Sequence, residues 1–136
     1  MCSITSDLQK GCKMIKIPAS LWFRFLLELT GLVFGGLWGY RLDNGPPRYF
    51  FTLGIPLIMA IVWGVFNVPD DPGRTGMAPV PVSGRLRILI ETGVFSFAVF
   101  AAWGTAGKWA ALAYIVLILL HVWLLRDRFR WLYRKN

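Results

Sequence analysis

Five ionisable residues lie inside stretches that are otherwise apolar: Arg24, Glu28, Arg87, Glu91 and His121. Charges in such positions are costly, and they usually face a bundle interior or a water-filled cavity. Glu28 lies about 10 Å along a helix from its apolar start, at 1.5 Å per residue. Glu91 and His121 fall at a similar or shallower depth, with Arg24 and Arg87 one turn nearer the same end. The five could form one layer in the inner third of a bundle. Two chemistries suit such a layer. Paired carboxylates could titrate near neutral pH and carry protons or cations. Alternatively, arginine–glutamate pairs neutralise each other and lock helices together. Arginine four residues before glutamate is the weaker orientation within one helix. An exchanged arrangement, Arg24 with Glu91 and Arg87 with Glu28, is therefore attractive. The structural reading is the one expected here.

Other patterns point to packing and to lipid. Gly31, Gly35 and Gly39 repeat every four residues, on the face that carries Arg24 and Glu28. Small residues at this spacing let helix backbones approach closely in membranes. Ala60, Gly64, Ala98 and Ala102 are expected to act likewise. His121 is the only histidine, so a bis-histidine haem is excluded within one chain and a hydrogen bond inside the bundle is the expected role. Near the C-terminus, Arg126, Arg128, Arg130, Arg134 and Lys135 alternate with aromatic residues, which suits a helix end resting on anionic headgroups. No nucleophile–base pair, phosphate loop or metal-ligand spacing occurs. No enzyme activity, cofactor or metal is expected.

These residues need elements to hold them, and composition says which. Of the 136 residues, 56% are hydrophobic and 16% charged, where soluble proteins carry roughly 25% charged. A helix crossing the bilayer needs about 20 mostly apolar residues. Four segments qualify: residues 21–40, 49–66, 86–103 and 109–125. Residues 43–47 and 104–108 are short, turn-like joints, so the spans form two antiparallel hairpins. The fold class is all-α: a polytopic membrane protein whose four-transmembrane-helix bundle occupies residues 18–125. Residues 1–17 are a polar, mobile leader and residues 126–136 a basic tail. Pro18 could open the first helix, and Ser83 is expected to cap the third. The proline-containing connection near Pro69, Pro72, Pro79 and Pro81 is expected to be an extended loop.

Charge placement orients the bundle. Lys10, Lys13, Lys16, Arg74, Arg85, Arg87 and the five basic tail residues lie on one side, against Arg41, Arg48 and Lys108 on the other. Eleven against three puts both termini in the cytoplasm (N-in/C-in) and the chain in the cell membrane as a multi-pass protein. Trp38, Tyr40, Tyr49, Trp103 and Trp109 would mark the outer interface, and Trp22, Trp63 and Trp123 the inner one. A net charge of +8 distributed this way suits anionic lipid, and nucleic acid is not an expected partner. Cys2 and Cys12 both lie in the leader, where Met14 could be an alternative start, and they make no disulfide framework.

The two hairpins share a motif. Arg24-Phe-Leu-Leu-Glu28 matches Arg87-Ile-Leu-Ile-Glu91, and at the same offset Gly35 falls on Ala98 and Gly39 on Ala102. An internal duplication about an axis along the membrane normal accounts for both.

Together with Trp63-Gly64-Val65-Phe66 followed by Pro69 and Pro72, these motifs resemble the YrdB-like family of small bacterial four-helix membrane proteins. The resemblance covers residues 21–125. It implies the architecture and brings no known activity. The function expected is a non-enzymatic membrane protein that packs against itself or a partner. A proton-coupled transporter using Glu28 and Glu91, or an accessory subunit of a membrane enzyme, are the alternatives.

Overall fold

Short polar turns interrupt the apolar sequence, and the helices run between them. In the computed structural model, which describes residues 19–71 and 78–135, these are α1 (Ala19–Arg41), α2 (Pro47–Val65), α3 (Gly84–Ala106), α4 (Lys108–Leu124) and α5 (Arg126–Arg134). Pro18, Cys2, Cys12, Met14, the leader's lysines, Pro72 and Arg74 lie outside the described residues. The first turn is closed by Gly45 N–H donating to Asp43 Oδ1 at 2.8 Å. The second turns at Gly107, whose φ of +86° is left-handed and suits glycine. Ser83 caps α3 as its position suggests, accepting from Leu86 N–H at 3.3 Å.

Among the described residues, three helices (α1, α2 and α3) are long and apolar enough to cross a membrane. A fourth is added if α4 and α5 count as one span broken by a 68° bend. Much of the exterior is apolar, including Phe50, Leu53, Leu57, Ile58, Leu89 and Val116. In a water-soluble monomer such a surface would be anomalous.

Helices α1 and α3 form the centre, with α2 packed mainly on α1 and α4 mainly on α3. The core gathers Leu27, Met59, Trp63, Phe95, Ala98 and Tyr114. Glycines explain how α1 approaches α2. A Cβ on Gly39 would lie 2.5 Å from the Phe51 carbonyl oxygen, and one on Gly35 would lie 3.0 Å from Met59 Sδ. Gly36 faces the Thr52 carbonyl, whose usual helical donor is missing because residue 56 is proline. Gly31 meets Ala98 and Tyr114 instead, and Tyr114 Oη donates to the Leu27 carbonyl at 2.8 Å. Ala98 and Ala102 are buried.

Ala60 and Gly64 depart from the expected packing role. Ala60 is exposed, and a Cβ on Gly64 would meet nothing within 4 Å. Met59 and Trp63 set the inward face of α2, so the residues one position on line a groove beside it. Trp63 is accordingly buried in the core, not stationed at an interface.

At the described ends of the connection between the hairpins, the chain is paired, not simply extended. Phe66–Asn67 (β1) and Val80–Pro81 (β2) pair in parallel. Helix α5 then folds back against the start of α3, where Gly84 N–H donates to the Lys135 carbonyl at 2.9 Å. A Cβ on Gly84 would collide with the Leu132 carbonyl, so glycine is what admits the tail.

Candidate functional site: a buried arginine–carboxylate cluster

Arg24 and Glu28 sit one turn apart on α1, as Arg87 and Glu91 do on α3, and helix periodicity turns each pair toward one face. Arg24 Nε donates to Glu28 Oε1 at 2.8 Å, and Arg87 Nε to Glu91 Oε1 at 3.2 Å. One bond crosses between the helices, Arg24 Nη2 to Glu91 Oε1 at 3.2 Å. Half of the exchanged arrangement is therefore present alongside both in-helix pairs.

The other half is absent because Arg87 is engaged elsewhere. Its Nη1 donates to the Trp63 carbonyl at 2.9 Å and to the Phe66 carbonyl. Those carbonyls end α2, where backbone acceptors have no helical donor and a cation is favoured. With 0% of its surface exposed, Arg87 links the end of one hairpin to the start of the next. Trp63 completes the arrangement, with the Arg87 and Arg24 guanidinium carbons 4.6 and 5.3 Å from its ring centroid. Arg24 Nη1 and Arg87 Nη2 have no hydrogen-bond partner among the described residues, and the tryptophan π-face offers them an electrostatic substitute.

Two further members were not expected from sequence. Arg128 of α5 is 5% exposed, which corrects its assignment to lipid headgroups. Its Nη2 donates to Glu91 Oε1 at 2.9 Å, and its Nε to Asp71 Oδ1 at 2.8 Å. The bend after α4 turns Arg128 and Leu132, one helical turn apart, toward the protein. Burial works against the Arg128 charge, but the hydrogen bonds to Asp71 and Glu91 outweigh it and raise its pKa above the ordinary arginine value. A signal did exist: Arg128 shares a helical face with Leu132. The other tail residues divide. Arg126, Arg130 and Arg134 are exposed, whereas Lys135 is half-buried near Asp70.

Among the described residues, the cluster thus contains three guanidinium groups (Arg24, Arg87 and Arg128) and three carboxylates (Glu28, Glu91 and Asp71) joined by ion pairs. Glu91, at 2% exposure, receives all three arginines, whereas Glu28, at 23%, receives Arg24 alone. Glu28 also lines the apolar groove bounded by Phe25, Leu29, Met59 and Trp63.

His121 corrects another expectation. It is buried, yet neither ring nitrogen has a hydrogen-bond partner among the described residues. Its ring lies among Phe23, Phe95 and Phe129, with centroids 6.4, 5.8 and 6.4 Å away.

Comparison with known proteins sets the cluster in context. The chain is 36% identical over 113 residues to "Uncharacterized protein YrdB" of Bacillus subtilis (strain 168), covering 83% of this chain and 92% of the relative. No solved structure matches. The family described as "Protein of unknown function (DUF2568)" matches residues 22–119, which include both Arg-x-x-x-Glu motifs and Asp71 but stop short of His121 and Arg128. By both measures, the chain belongs to this YrdB-like family of unknown function.

Proposed function

We propose that this chain is a non-enzymatic, multi-pass protein of the bacterial cell membrane, whose ionic layer holds two hairpins and the C-terminal helix together. The observation that carries this reading is Glu91, a buried carboxylate receiving three guanidinium groups. A carboxylate with three guanidinium partners suits structure better than proton exchange. Four spans with both termini inside fit the basic-residue bias, and the protein's role is then to pack against a second copy or another membrane protein.

The test is a double-mutant cycle. Glu91→Gln leaves buried arginines short of a counter-ion and should lower stability in detergent by about 3–5 kcal/mol. Adding Arg87→Gln should recover part of that loss. A stable Glu91→Gln protein without a rescuing arginine would overturn the structural reading. Orientation is tested separately with reporters: sites at Asn136 and Pro79 should be inside, and sites at Asn44 and Gly107 outside.

A second reading is favoured by one observation. Glu28 borders an apolar groove and has a single arginine partner, so a proton-coupled transporter would use Glu28 rather than Glu91.

A further inference from the structure

Two cavities meet at the junction of α3, α4 and α5. The first is a slot of about 260 Å³ between α3 and α4, walled mainly by Phe95, Val99, Ile115, Ile118 and Leu119, with the arginine-paired Glu91 also on its lining. The second, about 600 Å³, opens beside it and is bounded by Ile88, Arg130, Tyr133 and Arg134. Thr92, Val122 and Phe129 line both, so the apolar slot runs into a basic mouth. Arg130 has one weak partner, Asp127 at 3.6 Å, and both side chains are exposed. Arg134 has no ion pair among the described residues. A third cation stands close by, with Arg85 stacked 5.4 Å from the Tyr133 ring.

From this juxtaposition we infer that the α3–α4–α5 junction binds one anionic phospholipid, with an acyl chain in the slot and the phosphate between Arg130 and Arg134. The inference rests on the membrane reading above, which puts the slot at acyl-chain depth and the mouth at headgroup depth. Charge complementarity selects the occupant. An acyl chain gains little on leaving the bilayer for the slot, because both are apolar. The preference must therefore come from the headgroup, where two arginines and the Tyr133 hydroxyl can hold a phosphate oxygen. The 68° bend before α5 is what brings these groups over the slot. Arg128 and Leu132 anchor the inner face of that helix, leaving Arg130, Tyr133 and Arg134 on its outer one.

The experiment is lipid titration of the full chain in detergent, read by native mass spectrometry. Phosphatidylglycerol and phosphatidylcholine with identical acyl chains are compared, and glycerol phosphate serves as the acyl-free competitor. One phosphatidylglycerol per chain should be retained in preference to phosphatidylcholine, with glycerol phosphate competing poorly. Removing a surface arginine should weaken retention about fivefold. Arg130→Gln with Arg134→Gln should therefore weaken it about 25-fold, with melting temperature unchanged. Ser96→Trp, at an exposed position on the slot wall, should reduce retention of both lipids. Arg126→Gln, on an arginine that does not line the mouth, should leave the preference intact. Equal retention of the two lipids, or an unchanged preference in the double variant, would overturn the site. Full competition by glycerol phosphate would reduce it to a phosphate site and overturn the acyl assignment. Membrane insertion is checked first: release from vesicles by carbonate would overturn the membrane reading, whereas an inserted protein without lipid preference would overturn this site alone.

Discussion

The same pattern of arginine, three apolar residues and glutamate occurs on α1 and on α3, and its two copies have different surroundings. On α3, Glu91 is buried under Arg24, Arg87 and Arg128. On α1, Glu28 keeps one arginine and borders a groove. Each helix supplies the same in-helix pair, but Arg24 also crosses to Glu91 whereas Arg87 turns to the carbonyls that end α2. The C-terminal helix widens the difference, because it returns only to the second copy and brings Arg128 with it. Asp71 follows from the loop and pairs with Arg128. A repeated motif has thus become asymmetric because its two arginines take different partners and because a segment outside the repeat covers one copy.

Breaking that cover should have the largest effect. Arg128→Gln removes a partner of Asp71 and one of the three arginine partners of Glu91, leaving both buried carboxylates less compensated. Stability in detergent should fall by about 3–5 kcal/mol, and Asp71→Asn in the same chain should recover part of the loss. Thermal unfolding of the two single variants and the double variant checks this. A mild Arg128→Gln phenotype would mean that α5 rests on the protein without holding the cluster.

The two halves also differ in how their small residues pack, and this sharpens the comparison at a smaller magnitude. Gly39 of α1 touches the backbone of α2, whereas its counterpart Ala102 on α3 is buried with its methyl group in place. Gly39→Ala should therefore force the helices apart and lose about 1–3 kcal/mol through overpacking. Ala102→Gly should lose only about 0.5–1 kcal/mol, mostly the helix cost of glycine. Equal losses would mean that the α1–α2 interface can yield as easily as the α3 face.

Much of this was legible in the sequence, for physical reasons. Charges in apolar spans must find partners, so Arg24, Glu28, Arg87 and Glu91 were identifiable, and the structure brings those four together. Glycines every fourth residue on α1 marked a close approach in the same way. Ala60 and Gly64 misled because spacing gives the period of a helix face but not its phase, and on α2 the bulky Met59 and Trp63 set the phase. His121 misled because a lone buried histidine is normally expected to find a hydrogen bond, and here three phenylalanines surround it. Arg128 was the larger miss. A basic, aromatic tail reads the same whether it lies on headgroups or folds back. Only the four-residue step from Arg128 to Leu132 distinguishes the two.

Glu28→Gln should have the smallest effect on stability, and that is what makes it informative. Arg24 keeps Glu91 at 3.2 Å and the Trp63 ring at 5.3 Å when Glu28 is neutralised. The glutamine carbonyl can still accept from Arg24 Nε, so no cation is stranded. A partly exposed pair of this kind is worth about 1 kcal/mol or less, well below the loss expected at Glu91. Proton uptake by reconstituted vesicles supplies the second readout. If Glu28 is structural, the variant melts close to the parent and the vesicles behave alike. If Glu28 carries protons in the groove beside Trp63, the variant is equally stable but uptake is abolished. A stability loss at Glu28 as large as that at Glu91 would remove the asymmetry altogether, because the two carboxylates would then be equivalent despite the helix that covers only one of them.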